Sequence, residues 1–193
     1  MITQIKGRLV EKNPAYIVLD CNGVGYLLRI SLNTYSKISD SENCMLYTYL
    51  SIKEDSHTLF GFMEKTEREL FTSLISVSGV GPNTAQMILS SLSPEQAHQA
   101  IMSSNVSALQ SVKGIGGKTA QRIILDLKDK LAKKDIQINN SFSQHNTTRE
   151  EALTALTMLG FAKKSIEQAV DKELSSESNV DVEELVKRVL KKM

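Results

Sequence analysis

A chain of 193 residues, 41% of them hydrophobic, is long enough for more than one small domain. Its 23 Lys and Arg against 22 Asp and Glu leave a formal charge of +1, so bulk charge does not mark it as a nucleic-acid binder. The lack of tryptophan argues against the stacking platforms of single-strand binders, and no signal pattern or membrane-length apolar run is present, so a soluble, cytoplasmic protein without a membrane partner is expected.

Residues 1–64 read as β structure. Ile2–Glu11, Ala15–Cys21, Gly25–Ile30, Cys44–Lys53 and His57–Phe62 are short runs rich in Val, Ile, Leu, Tyr and Thr, separated by turn residues. Asn22-Gly23 is the strongest hairpin signal in the chain. With a polar interlude at Asn33–Glu42, the runs predict a small closed barrel of the OB type; an open sheet would leave the same pattern. Cys21 and Cys44 stand apart, with no CxxC pattern and no histidine nearby, which predicts reduced thiols and no metal site.

Between the fourth and fifth runs, Glu54 and Asp55 fall at a hairpin tip. Acidic residues are common in turns. If DNA lies across this domain, two carboxylates would also repel phosphates and keep strands apart. Catalysis is a third reading, but no histidine or further carboxylate is paired with them in sequence. On residue chemistry alone the turn reading is preferred.

Thr66-Glu67-Arg68-Glu69 has the form of a capping box and predicts a helix from Glu67, with Leu70, Phe71, Leu74 and Ile75 facing inward. Residues 65–134 then carry a duplication. Leu74, Ser76, Val77, Gly79, Gly81, Thr84, Ala85, Gln86 and Ile88 recur 35 residues later as Leu109, Ser111, Val112, Gly114, Gly116, Thr119, Ala120, Gln121 and Ile123. Each copy reads as helix, tight turn, helix. Gly79-Val80-Gly81 and Gly114-Ile115-Gly116 form the turns: the glycines permit positive φ and close backbone approach, and the aliphatic residue plugs the gap between helices. Asn83 and Thr84 open the next helix in the first copy, Gly117, Lys118 and Thr119 in the second, and amides at a helix start form a seat for an anion. Lys118 and Arg122, four residues apart, share a helix face beside the second seat. This resembles a tandem helix-hairpin-helix module, which grips DNA phosphates without reading sequence. A packing-only helical hairpin competes for one copy and much less well for two. Charge distribution agrees: residues 65–134 carry nine Lys and Arg against five Asp and Glu, whereas residues 1–64 carry six against seven.

Ser93-Pro94-Glu95-Gln96 starts the helix that connects the two hairpins. Residues 135–148, rich in Asn, Ser, Gln and Thr, read as a flexible linker. Residues 149–193 read as three helices: one from Thr148 with Leu153, Leu156 and Leu159 inside and Gly160 as its stop, a second with Ile166 and Val170, a third with Leu185, Val189 and Leu190. This small unit has apolar surface to offer a partner.

Enzyme readings are weak. Gly117-Lys118-Thr119 ends like a nucleotide-binding loop, but Val112 stands where its first glycine belongs and a helical segment precedes it. A glycosylase would pair Lys118 with Asp135, which lies at the edge of the polar linker, and the helices to wall a base pocket are missing. No nuclease carboxylate cluster appears, and no cofactor is expected. A glycosylase or nuclease using the hairpins for grip is the alternative to a non-catalytic scaffold; a ubiquitin-type adaptor is a third class.

Met1-Ile2, Ile5-Lys6-Gly7, Asn22-Gly23-Val24-Gly25-Tyr26, Glu54-Asp55, Leu59-Phe60-Gly61-Phe62 and the two hairpins, in this order, resemble the RuvA family, the Holliday-junction-binding subunits of the bacterial branch-migration machine. The resemblance covers essentially the whole chain. It implies an α+β multidomain protein: an OB-type barrel over 1–64, a tandem helix-hairpin-helix domain over 65–134, a linker over 135–148 and a ubiquitin-associated-like three-helix domain over 149–193. It further implies a homotetramer, or a pair of them, holding an open four-way junction during recombination and DNA-damage repair, a part of the SOS response. The Glu54-Asp55 tips would be acidic pins at the crossover, which reverses the preference for the plain turn. The terminal domain would bind the RuvB ATPase hexamer, through Leu156, Leu159, Phe161, Ile166 and Leu190, and the RuvC resolvase would join the assembly. Two residues depart from the family pattern: Asn83 stands where a lysine is frequent, and Gly117 where a second basic residue often precedes Lys118.

Overall fold

Alternation of apolar and polar residues organises the first third of the chain into strands that present one face inward. In the computed structural model, which describes residues 1–39, 43–140, 144–176 and 180–192, these are β1 (Gln4–Asn13), β2 (Tyr16–Cys21), β3 (Val24–Ile30), β4 (Asn43–Ile52) and β5 (His57–Phe62). They close into a barrel in the order β1-β2-β3-β5-β4, every pairing antiparallel except β3 with β5. The closed barrel, not an open sheet, is therefore correct. Ile17, Leu19, Leu28, Ile30, Leu46 and Leu59 fill it. Asn22-Gly23 makes the β2–β3 turn with both φ angles positive, and Gly23 N donates to Asp20 Oδ1 at 2.8 Å. Part of the polar interlude is a helix, α1 (Leu32–Lys37), capped by Ser31, whose Oγ accepts from Thr34 N. Residues 40–42 of that interlude lie outside the described ones.

Helices α2 (Lys65–Ile75), α3 (Pro82–Ser91), α4 (Pro94–Met102), α5 (Val106–Gln110) and α6 (Gly117–Asn140) follow. Phe71 of α2 docks this helical part on the barrel, with ring centroids 5.4, 5.1 and 4.9 Å from those of Tyr49, Phe60 and Phe62. Barrel and hairpins therefore belong to one compact unit, Met1–Ala132, and the expected boundary at residue 64 lies inside it. The capping box at Thr66 does not form: α2 starts at Lys65, with Glu64 at the N-cap and no side-chain cap. Glu67 instead turns inward, fully buried, and accepts from Ser31 Oγ at 2.5 Å and Thr34 Oγ1 at 2.7 Å. The box at Ser93 does form, Gln96 N donating to Ser93 Oγ and Ser93 N to Gln96 Oε1.

The second unit, Lys133–Met193, contains α7 (Gln144–Met158), α8 (Lys163–Ser176) and α9 (Val182–Lys192). Ala152, Leu153, Leu156, Ile166, Val170, Leu185 and Val189 form its core. Gly160, at φ +95°, ends the first of these helices, and Phe161 N reaches back to Leu156 O. Leu159, expected inside, is 60% exposed, because the chain turns away immediately after it. Helix occupies both ends of the stretch expected as linker, up to Asn140 and from Gln144, while residues 141–143 lie outside the described ones. The polar 135–140 segment has no proline or glycine to stop a helix already running.

Candidate nucleic-acid interface

The duplication is structural as well as sequential. Val77 N donates to Leu74 O and Val112 N to Leu109 O; Val80 N donates to Val77 O and Ile115 N to Val112 O; Ala85 N donates to Gly81 O and Ala120 N to Gly116 O. Each bond recurs 35 residues on, at lengths between 2.9 and 3.3 Å. Val80 and Ile115 are buried plugs between their helices. Gly79 and Gly114 hold φ at +88° and +89°, the left-handed region that a side chain disfavours.

Gly81 and Gly116 are different, for neither has positive φ. A Cβ added at Gly79, Gly81, Gly114 or Gly116 would meet nothing within 4 Å. The expected close approach of another backbone therefore does not come from the described residues, which leave the space in front of these glycines open. Gly7 and Gly61 show the opposite, since a Cβ there would lie 2.5 Å from Asp20 O and 2.8 Å from Leu46 Cδ1. At Gly117 an added Cβ would lie 3.1 Å from Gln110 Nε2.

Pro82 and Gly117 are the first residues of α3 and α6, so Asn83 and Lys118 occupy the same position of their helices. Lys118 and Arg122 are exposed and have no ion-pair partner among the described residues; Thr84 and Thr119 are half-buried. Lys113, immediately before Gly114, is also exposed and unpaired among them. Sequence reasoning passed over it, although a cation flanking a hairpin glycine was a visible signal. Asn83 is held rather than free: Arg29 Nη1 of β3 donates to its Oδ1 at 3.1 Å.

Glu54 and Asp55 are exposed at the β4–β5 tip, which closes through Lys53 N to Ser56 O, 2.8 Å, and Ser56 N to Lys53 O, 3.4 Å. Asp55 Oδ1 accepts from Ser56 Oγ at 3.3 Å.

Gly117-Lys118-Thr119 begins a helix after a glycine turn and not after a strand, and Ile17–Asp20 lies within the barrel, where Asp20 is engaged by Arg8 at 3.2 Å. No nucleotide-loop geometry results. The side chain of Asp135 lies outside the described ones. Among the described residues, no group of three His, Cys, Asp or Glu side chains is placed to hold a metal ion. No described helix is long and apolar enough to cross a membrane.

In the second unit, Leu156 and Ile166 are fully buried and cannot touch a partner without opening the core. Leu159, Leu190 and the neighbouring Met158 are exposed, and Phe161 is half-buried.

Family models match the chain in three consecutive stretches: RuvA N terminal domain over residues 1–61, SAM-like helix-hairpin-helix tandem over 71–129, and RuvA C-terminal domain over 147–193. The Holliday junction branch migration complex subunit RuvA of Christiangramia forsetii is 54% identical over 193 residues, which is the whole of both chains. Its namesake in Flavobacterium psychrophilum is 50% identical, again over the whole of both. That of Cytophaga hutchinsonii is 48% identical over 99% of each.

Proposed function

The chain belongs to the RuvA family, and from that premise we propose that it binds four-way DNA junctions by shape, as a non-catalytic subunit of a branch migration complex. The observation that carries this reading is the open space before the four hairpin glycines. Glycine at Gly81 and Gly116 is required neither by backbone conformation nor by internal packing, so an external ligand that approaches the main chain closely is what a side chain there would obstruct. Phosphates meet that description, and Lys118 and Arg122 supply unneutralised charge beside the second turn.

Duplex arms then bind through their backbones, and specificity comes from junction geometry, since no element among the described residues is built to read base edges. The Glu54-Asp55 tips act as acidic pins, repelling phosphates and holding strands apart where the arms meet. Symmetric placement of four arms calls for a homotetramer. The terminal helices, through Met158, Leu159 and Leu190, dock the RuvB hexamer, whose ATPase moves the arms in the cytoplasm; RuvC resolvase works on the same junction.

The test is binding to a four-way junction and to duplex of equal length over a range of salt. The junction is expected to bind more tightly, with log affinity falling roughly 0.9 per phosphate neutralised for each unit of log salt. Equal affinity for both, or cleavage of branched DNA by the protein alone, overturns the reading.

A further inference from the structure

The duplication exposes an asymmetry. Position two of the helix after each glycine turn carries Lys118 in the second copy and the uncharged Asn83 in the first. Side-chain alternation along β3 buries Leu28 and Ile30 and turns Arg29 outward, and its guanidinium reaches Asn83. We propose that Arg29, contributed by the barrel, is the phosphate-binding cation of the first hairpin, standing in for the lysine that its own helix lacks. This rests on the function proposed above and names one of the groups that would carry it out.

Three observations support it. Arg29 is exposed and has no carboxylate partner among the described residues, so none of them neutralises its charge. Guanidinium has five N–H donors, and Asn83 takes one of them, leaving the rest for a phosphate. The placement is also rigid. Asn83, Gln86 and Ser90 share one face of α3, and all three are bonded to the end of β3 and the residues after it: Arg29 Nη1 to Asn83 Oδ1, Gln86 Nε2 to Ile30 O at 2.6 Å, and Leu32 N to Ser90 Oγ at 3.2 Å. The first grip is thus composite. Its turn belongs to the helical repeat and its charge to the barrel that carries the acidic tip.

Junction affinity measured against NaCl concentration on the full chain, alongside thermal melting, tests this with Arg29→Gln, Lys118→Gln and the double variant Arg29→Gln with Asn83→Lys. Glutamine keeps an amide donor for Asn83 while removing the charge. Arg29→Gln is expected to bind about three- to tenfold more weakly near 0.1 M salt, with a log-log salt slope shallower by roughly 0.9 for each phosphate no longer neutralised. The added lysine is expected to restore both. Unchanged affinity and slope in Arg29→Gln, while Lys118→Gln weakens binding, overturns the assignment alone. A lowered melting temperature with an unchanged slope overturns it too, by giving Arg29 a packing role. If the parent protein shows no preference for the junction, the function itself is at fault.

Discussion

Ser31 and Glu67 lie 36 residues apart in sequence and 2.5 Å apart in space, the hydroxyl of the α1 N-cap donating to a fully buried carboxyl on α2. Thr34 supplies the second donor. A buried polar group is costly only when its partners are missing, and here each oxygen has one. Glu67→Ala is therefore expected to destabilise the protein by about 2–4 kcal/mol, leaving two hydroxyl protons without an acceptor beside a cavity. Urea unfolding of the variant against the parent measures this, and a loss within the error of the parent curve would mean that the node is dispensable.

The glycines divide into two groups with opposite expected phenotypes. Gly81→Ala and Gly116→Ala enter open space at ordinary backbone angles, so stability should change by less than about 0.5 kcal/mol while junction binding weakens. Gly61→Ala pushes a methyl group against Leu46 and Leu28 inside the barrel and should cost about 1–3 kcal/mol. Melting curves and gel shifts on the three variants separate fold from grip.

At the tip, the backbone turn closes through Lys53 and Ser56, so the carboxylates of Glu54 and Asp55 are not what holds it. Glu54→Gln with Asp55→Asn should leave stability within about 0.5 kcal/mol of the parent and junction binding intact, yet change how far the junction opens, read by fluorescence transfer between labelled arms. Failure to fold would return the two residues to a purely structural role in the turn.

A fourth expectation concerns pH. Arg149 Nε donates to Asp171 Oδ1 at 2.6 Å and its Nη2 to Oδ2 at 3.1 Å, and these bonds hold the Asp171 carboxyl below its ordinary value, although partial burial opposes the shift. A depressed carboxylate contributes stability above its unfolded value, about 3.9, and loses it as pH falls through the folded one. Asp171 is half exposed, so the pair is worth less than about 1 kcal/mol. Arg149→Gln should accordingly lower stability slightly at pH 7, and the gap to the parent should close below about pH 4. A gap that stays constant in thermal melts as pH falls below about 4 would assign the effect to packing.

Local patterns carried much of this architecture. Alternation located β5 at its observed ends and β2 within a residue, and the repeat offset of 35 reappears in the backbone bonds of Val77, Val80 and Ala85 and of Val112, Ile115 and Ala120. What stayed hidden depends on residues far away in sequence. Thr66-Glu67-Arg68-Glu69 looks like a cap because cap residues are read locally, but Glu67 finds its partners on the barrel. Helix α1 is six residues long and mostly polar, too short to show a period. Arg29 gave one signal, an outward position between two buried neighbours, but its pairing with Asn83 spans 54 residues and no local rule could supply it. Leu159 fits the apolar spacing of its helix and still faces solvent, because spacing cannot say where the turn at Gly160 carries the chain.

Barrel closure constrains how copies of this chain can meet. In the order β1-β2-β3-β5-β4 each strand has a neighbour on both sides, β1 between β2 and β4 and β3 between β2 and β5. Among the described residues, closure leaves no end strand for another chain to extend, the usual route to open-ended fibres. A ring built from this subunit is then joined by surfaces other than an end strand, whose shape and charge can stop growth at a fixed number of members.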